Sequence, residues 1–310
     1  MRRFLFFFCT LAGLASLPAA ASAADATATS TGDRMKASVL RMTEYFDTML
    51  PGVLEENNVT LHFRPKFSDL RDEEYIRYPI ELRYGATERW ELSGGLSPFS
   101  PNPLNTGRDH RWGLGEGRLG ARYDLGPRWL RFFDDNTLGL EVRIPLGRPP
   151  VDINDHYTHV RPYISSARQL RMWPNVTFYH TLSYDRSVEL THRSEPPPEV
   201  MRKNIIEVAP GLLYKPGEFG YFAEYRWRHI TEELEWHLAH EVRLGSLWDI
   251  PKSRTEKWRL PGKWQIEVAY KYNKEEGRSD DHGITARVNW RTTLREVLGA
   301  PPAQTVQRRR

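Results

Sequence analysis

The sequence is poor in cysteine: Cys9 is the only one among 310 residues. It lies in an N-terminal apolar stretch with the features of a removable signal peptide, so the mature chain has no thiol. Disulfides, cysteine zinc sites and thiol catalysis are therefore excluded. An exported protein of this size without disulfides is stabilised by packing and backbone pairing, which favours a large sheet over a small cross-linked domain.

The N-terminal stretch has the three parts of a signal peptide. Arg2 and Arg3 precede an apolar run over residues 4–17, and the small residues 21–23 provide a cleavage site. A retained membrane helix is disfavoured because the run is short and is followed by Pro18. We predict that residues 1–23 are a signal peptide of a bacterial protein exported from the cytoplasm.

Long apolar runs are missing after the signal. No later segment approaches the roughly 20 apolar residues of a membrane-spanning helix, the mean hydropathy is -0.62 and 27% of residues are charged. A helical membrane protein is excluded, but a barrel is not, because only alternate side chains of its strands face lipid. Loss of the two arginines of the signal lowers the formal net charge from +4 to +2, so no nucleic-acid partner is expected.

What the chain does contain is alternation with a period of two. Leu138, Leu140 and Val142, for example, alternate with Glu141 and Arg143, which gives one apolar and one polar face. About twelve segments follow this pattern: 59–63, 76–84, 90–96, 119–125, 138–146, 159–165, 176–184, 206–214, 221–229, 237–244, 264–272 and 284–290. They predict an all-β fold, an antiparallel up-and-down transmembrane β-barrel.

Two features favour this barrel over the alternative, a soluble β-sandwich. The polar face alternates Arg with Glu within single strands, which is more charge than a sheet facing water needs. Aromatic residues recur near the ends of the apolar faces, as in interfacial girdles: Trp90, Tyr84, Tyr123, Tyr184, Tyr214, Trp264, Tyr272 and Trp290. We therefore predict a location in the bacterial outer membrane, with outer-membrane lipid as a partner.

The predicted domain order is a disordered start and short periplasmic helix over residues 24–57, a barrel over 58–294 and a disordered basic tail over 295–310. The helix, over residues 34–50, either docks against the barrel mouth or plugs the lumen. If the N-terminus of the mature chain is periplasmic, short turns such as 215–218 lie on the periplasmic side of the membrane and long loops such as 185–203 lie on its outer side. The long connection 245–261 breaks this rule and leaves the strand count open around 248–258.

The middle of the chain resembles the family of outer-membrane barrels named after the MetA pathway of phenol degradation. The matching residues are the strand 92–98 that runs into Pro98, the glycine-rich strand entry 113–123, and the strand 140–147 that closes with Pro145 and Gly147. The resemblance implies an outer-membrane barrel that helps apolar or aromatic compounds cross. The chain departs from many such barrels because it does not end on an aromatic residue.

The inward charges are the candidate functional residues, and no cofactor is indicated. Two interpretations stay open: a conducting pore, in which an excess of Arg favours anions, or a lumen filled with ion pairs. The lumen-lining candidates are Arg64, Arg77, Glu81, Arg83, Glu91, Glu116, Arg118, Arg122, Glu141, Arg143, Arg161, Glu224, Arg226, Arg228, Glu241, Lys263, Glu267, Lys271 and Arg287.

The favoured function is a channel or facilitator for small solutes, and therefore not an enzyme. The alternative is a lumen-filled barrel that serves as a structural or surface-interaction element. A lipid hydrolase is less favoured, because His180 and Ser183 fall on opposite faces of a strand. A metal site at His237 and His240 is disfavoured for the same reason.

Overall fold

The computed structural model describes residues 50–68, 75–103, 111–127, 129–130, 132–146, 150, 155–189, 203–232, 235–276 and 280–297. In them the chain forms a closed antiparallel barrel of 12 spanning strands, as the alternation predicts. The strand segments are β1 Asn58–Phe63, β2 Lys66–Ser68, β3 Tyr75–Arg77, β4 Ile80–Gly85, β5 Trp90–Pro101, β6 Gly113–Asp124, β7 Asp135–Pro145, β8 Thr158–Gln169, β9 Val176–Val188, β10 Lys203–Tyr214, β11 Phe219–Glu232, β12 Glu235–Asp249, β13 Lys263–Glu275 and β14 Asp281–Thr293.

Two of the spanning strands are each divided into two segments: β1 and β2 form one spanning strand, and β3 and β4 form another. The interruptions fall at Pro65 and Pro79, which have no N–H to donate to a ladder. Pairing continues beside them, because the Arg64 N–H donates to the Pro79 carbonyl at 2.9 Å and the Tyr78 N–H to the Pro98 carbonyl at 2.8 Å. β14 pairs with both β1 and β2, so the barrel closes without an open edge.

The burial pattern is that of a membrane barrel rather than a water-soluble sandwich. Leu82 on β4 points outward and is 50% exposed, whereas its neighbours Glu81 and Arg83 point inward and are 7% and 5% exposed. The same arrangement recurs around the wall: large apolar side chains face outward and charged side chains face inward, which is the reverse of a water-soluble protein. An exterior of this kind is stable in hydrocarbon and would be unfavourable in water.

Several of the predicted girdle aromatics face outward near strand ends. Trp90 and Tyr214 are exposed, and the Trp90 and Tyr123 rings lie 5.0 Å apart between centroids. Trp264 and Trp290 stack at 6.0 Å. All five lie at the end of the barrel where β1 begins and β14 ends, here called the proximal end, and the opposite end is called distal.

The connection after β12 resolves the strand count around residues 248–258, which the sequence left open. β12 itself continues to Asp249, and the next residues form a short helix, α1 Lys252–Lys257, before β13 begins. The Ile250 N–H donates to the Trp264 carbonyl at 2.9 Å, which ties this connection to β13. A short helix therefore explains its length, and the strand count stays at 12.

Connection lengths do not separate the two ends as cleanly as expected. Only residues 233–234 separate β11 from β12 at the distal end, although these are the two longest strands, with 14 and 15 residues. The predicted signal peptide and the helix over residues 34–49 lie outside the described residues. A helical turn, α2 Leu294–Val297, follows β14 at the start of the predicted tail. Among the described residues, no helix has the length and apolarity needed to cross a membrane.

Candidate functional site

The lumen is lined by the charged residues of the inward strand faces. Five of the predicted set are half-buried: Arg77, Arg118, Arg143, Arg228 and Lys271. Lys263 shares the inward phase but is exposed, because it is the first residue of β13 at the proximal rim. The buried members are Arg64, Glu81, Arg83, Glu91, Glu116, Arg122, Glu141, Arg161, Glu224, Arg226, Glu241, Glu267 and Arg287.

One ion-pair network lines the wall from β1 to β6. Arg64 and Arg83 both contact Glu81, the latter at 2.7 Å. Arg83 and Arg122 both approach Glu91, at 3.4 Å and 3.3 Å. This network, here called the charged wall, therefore links three guanidinium groups through two carboxylates. Charges in such a narrow space are stable only when they are paired in this way.

A second network lies on the opposite side, across β8 to β12. Arg161 pairs with Glu207 at 2.7 Å, and Arg226 approaches the same carboxylate at 3.4 Å. Arg226 also lies 3.5 Å from Glu224 and 3.9 Å from Glu241. Each carboxylate thus serves more than one cation, and the inward charges form a ladder across neighbouring strands.

Between the two networks the lumen is filled. Arg287 and Glu267 lie 3.5 Å apart, and both side chains have 0% exposure. Asn289 donates to Glu267 at 2.8 Å and to Gln265 at 2.9 Å. Zero exposure means that neither charge is in contact with solvent, so this pair does not line an open aqueous path.

The distal part of the lumen carries a third charged group. Arg143 contacts Asp185, and His159 lies between Asp185 at 2.8 Å and Asp155 at 3.0 Å. Asp155 belongs to the connection before β8. Burial acts to raise the pKa of the Asp155 carboxyl, but hydrogen bonding to His159 opposes this, and the pKa falls below its ordinary value.

Sequence reasoning missed several charged residues of these networks. Glu207 could have been found, because the segment 206–214 with Tyr214 on its outward face places Glu207 on the inward face. Asp185 was assigned to a loop, but β9 continues to Val188. Arg243, which contacts Glu241, could have been found two residues beyond that glutamate on the same strand face.

Residues 50–54, here called the plug segment, run inside the barrel at its proximal end. Leu50, Val53 and Leu54 are 1%, 1% and 2% exposed. The segment passes so close to β4 that a Cβ added at Gly85 would lie 2.1 Å from the carbonyl oxygen of Glu55. The chain therefore enters the lumen and occupies space there before it begins the first strand.

Hydrogen bonds hold the plug segment to β5, β6 and β7. The Arg122 guanidinium donates to the Leu50 carbonyl at 2.7 Å. The N–H of Gly52 donates to the Thr137 hydroxyl at 2.6 Å, and that of Leu54 donates to the Glu91 carboxylate at 2.8 Å. These bonds satisfy backbone groups that would otherwise be buried without partners.

The Leu50 side chain joins an apolar cluster on the other wall, formed by inward residues of β8 to β13. The cluster, here called the apolar wall, comprises Ala167, Tyr179, Leu213, Phe222, Leu247 and Ala269. Two of its rings lie over glycines of adjacent strands, Tyr179 over Gly211 and Phe222 over Gly245. A side chain at either glycine would collide with the ring, so the glycines make room for aromatics inside the barrel.

The geometry does not support hydrolase chemistry at the pair tested in the sequence. His180 faces outward, with its ring 4.7 Å from that of Phe133, whereas Ser183 faces the lumen and accepts a hydrogen bond from Arg161 at 3.1 Å. A nucleophile and its base must lie within hydrogen-bond reach of each other. The wall of the barrel separates these two side chains.

His237 and His240 also point to opposite sides of β12. His237 faces the lumen and lies 2.8 Å from Glu275, whereas His240 lies outside, 2.5 Å from the Tyr225 hydroxyl. In the part of the chain that the structure describes, no group of three or more His, Asp or Glu side chains could hold a metal ion.

Comparison with known proteins gives structural matches only. No family model and no curated protein matches the sequence. An outer membrane channel from Pseudomonas putida F1 is 10% identical, with 80% of this chain and 100% of that chain covered and a TM-score of 0.53. A NanC porin is 11% identical, with coverages of 74% and 98% and a TM-score of 0.47.

A KdgM porin solved in complex with disordered oligogalacturonate is 9% identical, with coverages of 74% and 98% and a TM-score of 0.44. At these identities the similarity concerns the fold alone. The resemblance to the phenol-degradation family stays a prediction. The chain is thus similar in fold to a bacterial outer membrane channel. Its own lumen is charged, and its own residues 50–54 lie inside the proximal end.

Proposed function

We propose that this protein is a channel for small solutes in the bacterial outer membrane. The observation that carries the proposal is the charged interior, which continues from the proximal Glu91 and Arg122 to the distal Arg143. A lumen filled only for stability would be better served by apolar side chains, because buried ion pairs gain little over them. Buried charges within a membrane protein commonly mark the path of a substrate or an ion.

The solutes that we propose are small apolar or aromatic compounds, as the family resemblance implies. Tyr179 and Phe222 support this class, because they place two aromatic rings inside the proximal lumen. Localisation in the outer membrane rests on the predicted signal peptide and the lipid-facing exterior. Fractionation of cells expressing the full chain tests it, and recovery with the soluble periplasmic proteins would reject it.

A second candidate is a closed barrel with a structural or surface-interaction role. It is favoured by the complete burial of Arg287 and Glu267 in the middle of the lumen. Single-channel recording in planar lipid bilayers separates the two candidates. The channel predicts discrete current steps for the full-length protein, and the closed barrel predicts none at any voltage, even when the plug segment is destabilised.

A further inference from the structure

We propose that the outside of the barrel at its distal end binds a phosphate monoester of lipopolysaccharide, the glycolipid of the outer leaflet. The site, here called the distal phosphate site, consists of His240, Lys274 and His282 on the outward faces of β12, β13 and β14. The proposal goes beyond the channel function, because it concerns the lipid-facing side of the wall and does not depend on whether the lumen conducts.

The strand register brings the three side chains together. Lys274 lies directly opposite His240 in the ladder between β12 and β13, and Tyr272, two residues before it, lies opposite His282 on β14. Directly opposite side chains have their Cβ atoms about 4.5–5.5 Å apart, and diagonal neighbours are about 7–8 Å apart. The two histidines therefore flank Lys274 closely enough for all three to contact one small anion.

Tyrosines on the same face fix the orientation of both imidazole rings. The Tyr225 hydroxyl lies 2.5 Å from Nδ1 of His240, and the two rings stack at 6.0 Å. The Tyr270 hydroxyl bonds Nδ1 of His282, whose ring lies 5.0 Å from that of Tyr272. A hydroxyl that donates to Nδ1 selects the tautomer with its proton on Nε2. Each ring then offers its Nε2–H to a partner outside the protein.

Lys274 differs from the cations of the lumen in having no carboxylate partner. On the inward face of the same strand, Lys271 pairs with Asp281 at 2.8 Å, whereas Lys274 is exposed. Two exposed carboxylates border this part of the wall, Glu276 and Asp280. Among the described residues, neither these two nor any other carboxylate forms an ion pair with Lys274. Its charge is therefore available to an anion from the membrane.

The depth of the site matches the head groups of the membrane. Lys274 follows Trp264, an aromatic residue of the proximal end, by ten positions on the same outward face. At about 3.3 Å per residue and a strand tilt of about 40°, this spans about 25 Å along the membrane normal, the height of the apolar band of such barrels. The exposed Val242, Val268 and Ile284 lie within that band, where they contact acyl chains.

The chemistry of the site favours a phosphate monoester over the phosphodiester of a phospholipid. A monoester carries a charge of about −1.5 to −2 near neutral pH and three strong acceptor oxygens. One ammonium and two imidazole N–H groups supply a donor for each of these oxygens. With the predicted periplasmic N-terminus, the distal end lies in the outer leaflet, whose glycolipid carries such monoesters on its sugar head group.

The test is native mass spectrometry of the detergent-solubilised protein mixed with equal amounts of diphosphoryl lipid A and phosphatidylglycerol. We expect the lipid A adduct to be about tenfold more abundant, because it presents the monoester together with acyl chains. Replacement of both His240→Asn and Lys274→Gln is expected to remove this preference. Equal retention of the two lipids by the unaltered protein would overturn the proposal. Dimers that exclude lipid A would assign this face to a second copy of the chain instead.

Two further variants act as controls of location and sign. Arg89→Gln removes an exposed cation that donates to the Tyr123 hydroxyl at 3.4 Å in the proximal aromatic girdle, and it should leave lipid A retention unchanged. Asp280→Asn removes a negative charge that accepts the Tyr272 hydroxyl at 2.7 Å, and retention should rise about twofold. Heat-dependent gel mobility verifies folding. Equal losses in Arg89→Gln and in the folded double variant, or weaker retention by Asp280→Asn, contradict the site.

The orientation on which the choice of lipid rests is tested in cells. Since the predicted mature chain has no cysteine, Glu235→Cys, at the exposed distal tip of β12, provides one thiol for a membrane-impermeant maleimide. Labelling of intact cells supports the proposal, whereas labelling only after lysis places this end in the periplasm and rejects lipopolysaccharide. Current recordings stay independent: lipid A retention without current supports the site and rejects the channel, and current without preferential retention does the reverse.

Discussion

The proximal and distal halves of the lumen are closed to different degrees. In the proximal half Leu50, Val53 and Leu54 of the plug segment are at most 2% exposed, and in the middle of the lumen the Arg287 and Glu267 side chains are at 0%. In the distal half the side chains of Arg143 and Arg228 reach 22% and 21%. One barrel wall thus encloses a tightly packed section and a partly hydrated one, and the difference arises from what fills each section.

This difference shows that closure is not a property of the wall alone. The proximal lumen is closed by a segment that precedes the first strand and is held by hydrogen bonds to Arg122, Thr137 and Glu91 and by the burial of its apolar side chains. The distal lumen has charged side chains but no described segment crossing it. The proximal closure is therefore made by a part of the chain that lies outside the β-ladders.

The largest expected effect is on stability, from Glu267→Gln. It removes one charge of a fully buried ion pair, which costs about 3–5 kcal/mol of the free energy of unfolding. Urea unfolding in lipid vesicles measures this. The distal control is Glu232→Gln, whose carboxylate pairs with the partly exposed Lys203 at 2.7 Å and should cost less than about 1 kcal/mol. Equal losses of the free energy of unfolding in the two variants would contradict the conclusion that the two parts of the lumen are closed to different degrees.

Gly85→Leu should open the proximal half. Even the first carbon of a side chain at this position would overlap the carbonyl of Glu55, so the plug segment must move away. We expect the single-channel conductance to rise about twofold or more, since the cross-section of the lumen sets the current. Gly94→Ala is the control, because its added carbon lies 3.9 Å from Leu119 and 4.0 Å from the Arg118 carbonyl, which are ordinary contacts. An unchanged conductance in folded Gly85→Leu would mean that the plug segment does not limit access.

Gly211→Ala tests the packing of the apolar wall. The added methyl group would lie 2.3 Å from the Tyr179 ring, and overpacking of this kind costs about 1–3 kcal/mol. Gly217→Ala, in the turn after β10, has nothing within 4 Å of its added carbon and should leave stability nearly unchanged. The midpoint of the heat-dependent mobility shift measures both, and a similar midpoint for the two variants would contradict the packing.

The smallest expected effect is on ion preference in the distal half. Arg143→Gln removes a partly hydrated cation, so the channel should lose part of its preference for anions over cations. The reversal potential in a KCl gradient measures this preference. We expect a shift on the order of a few millivolts, because salt screens a single charge that is partly hydrated. Lys263→Gln, at the exposed proximal rim, serves for comparison. A larger shift from Lys263→Gln would place the selective region at the proximal end.

The strand pattern was predictable from the sequence because each strand faces two solvents of opposite polarity. The alternation of Leu82 with Glu81 and Arg83 indicates lipid on one face of the strand and a polar lumen on the other, and this follows from the local sequence alone. Boundaries were less predictable. β5 continues through Pro98 to Pro101, and β9 continues through Asp185 to Val188, in regions that turn-forming or polar residues marked as loops.

The candidate site was predictable only in part. Inward charges follow from alternation, but which charge meets which depends on strand register and side-chain reach. Glu207 bridges Arg161 and Arg226 from three different strands, and no local signal around Glu207 indicates this. The sequence left two interpretations for residues 34–50, because their apolar spacing fits a helix that docks against the barrel mouth as well as one that plugs the lumen, and residues 34–49 lie outside the described residues.

The sequence by itself therefore determined the barrel, its alternating strands and the polarity of its two faces, because these follow from the period of a strand and the demands of lipid. The structure fixed the strand count at the connection after β12. The tertiary structure alone decided whether the lumen is open. His62 meets Asn289 across 227 residues, and Gly52 meets Thr137 across 85. Such contacts exist only once the barrel has closed and brought distant parts of the chain into one narrow interior.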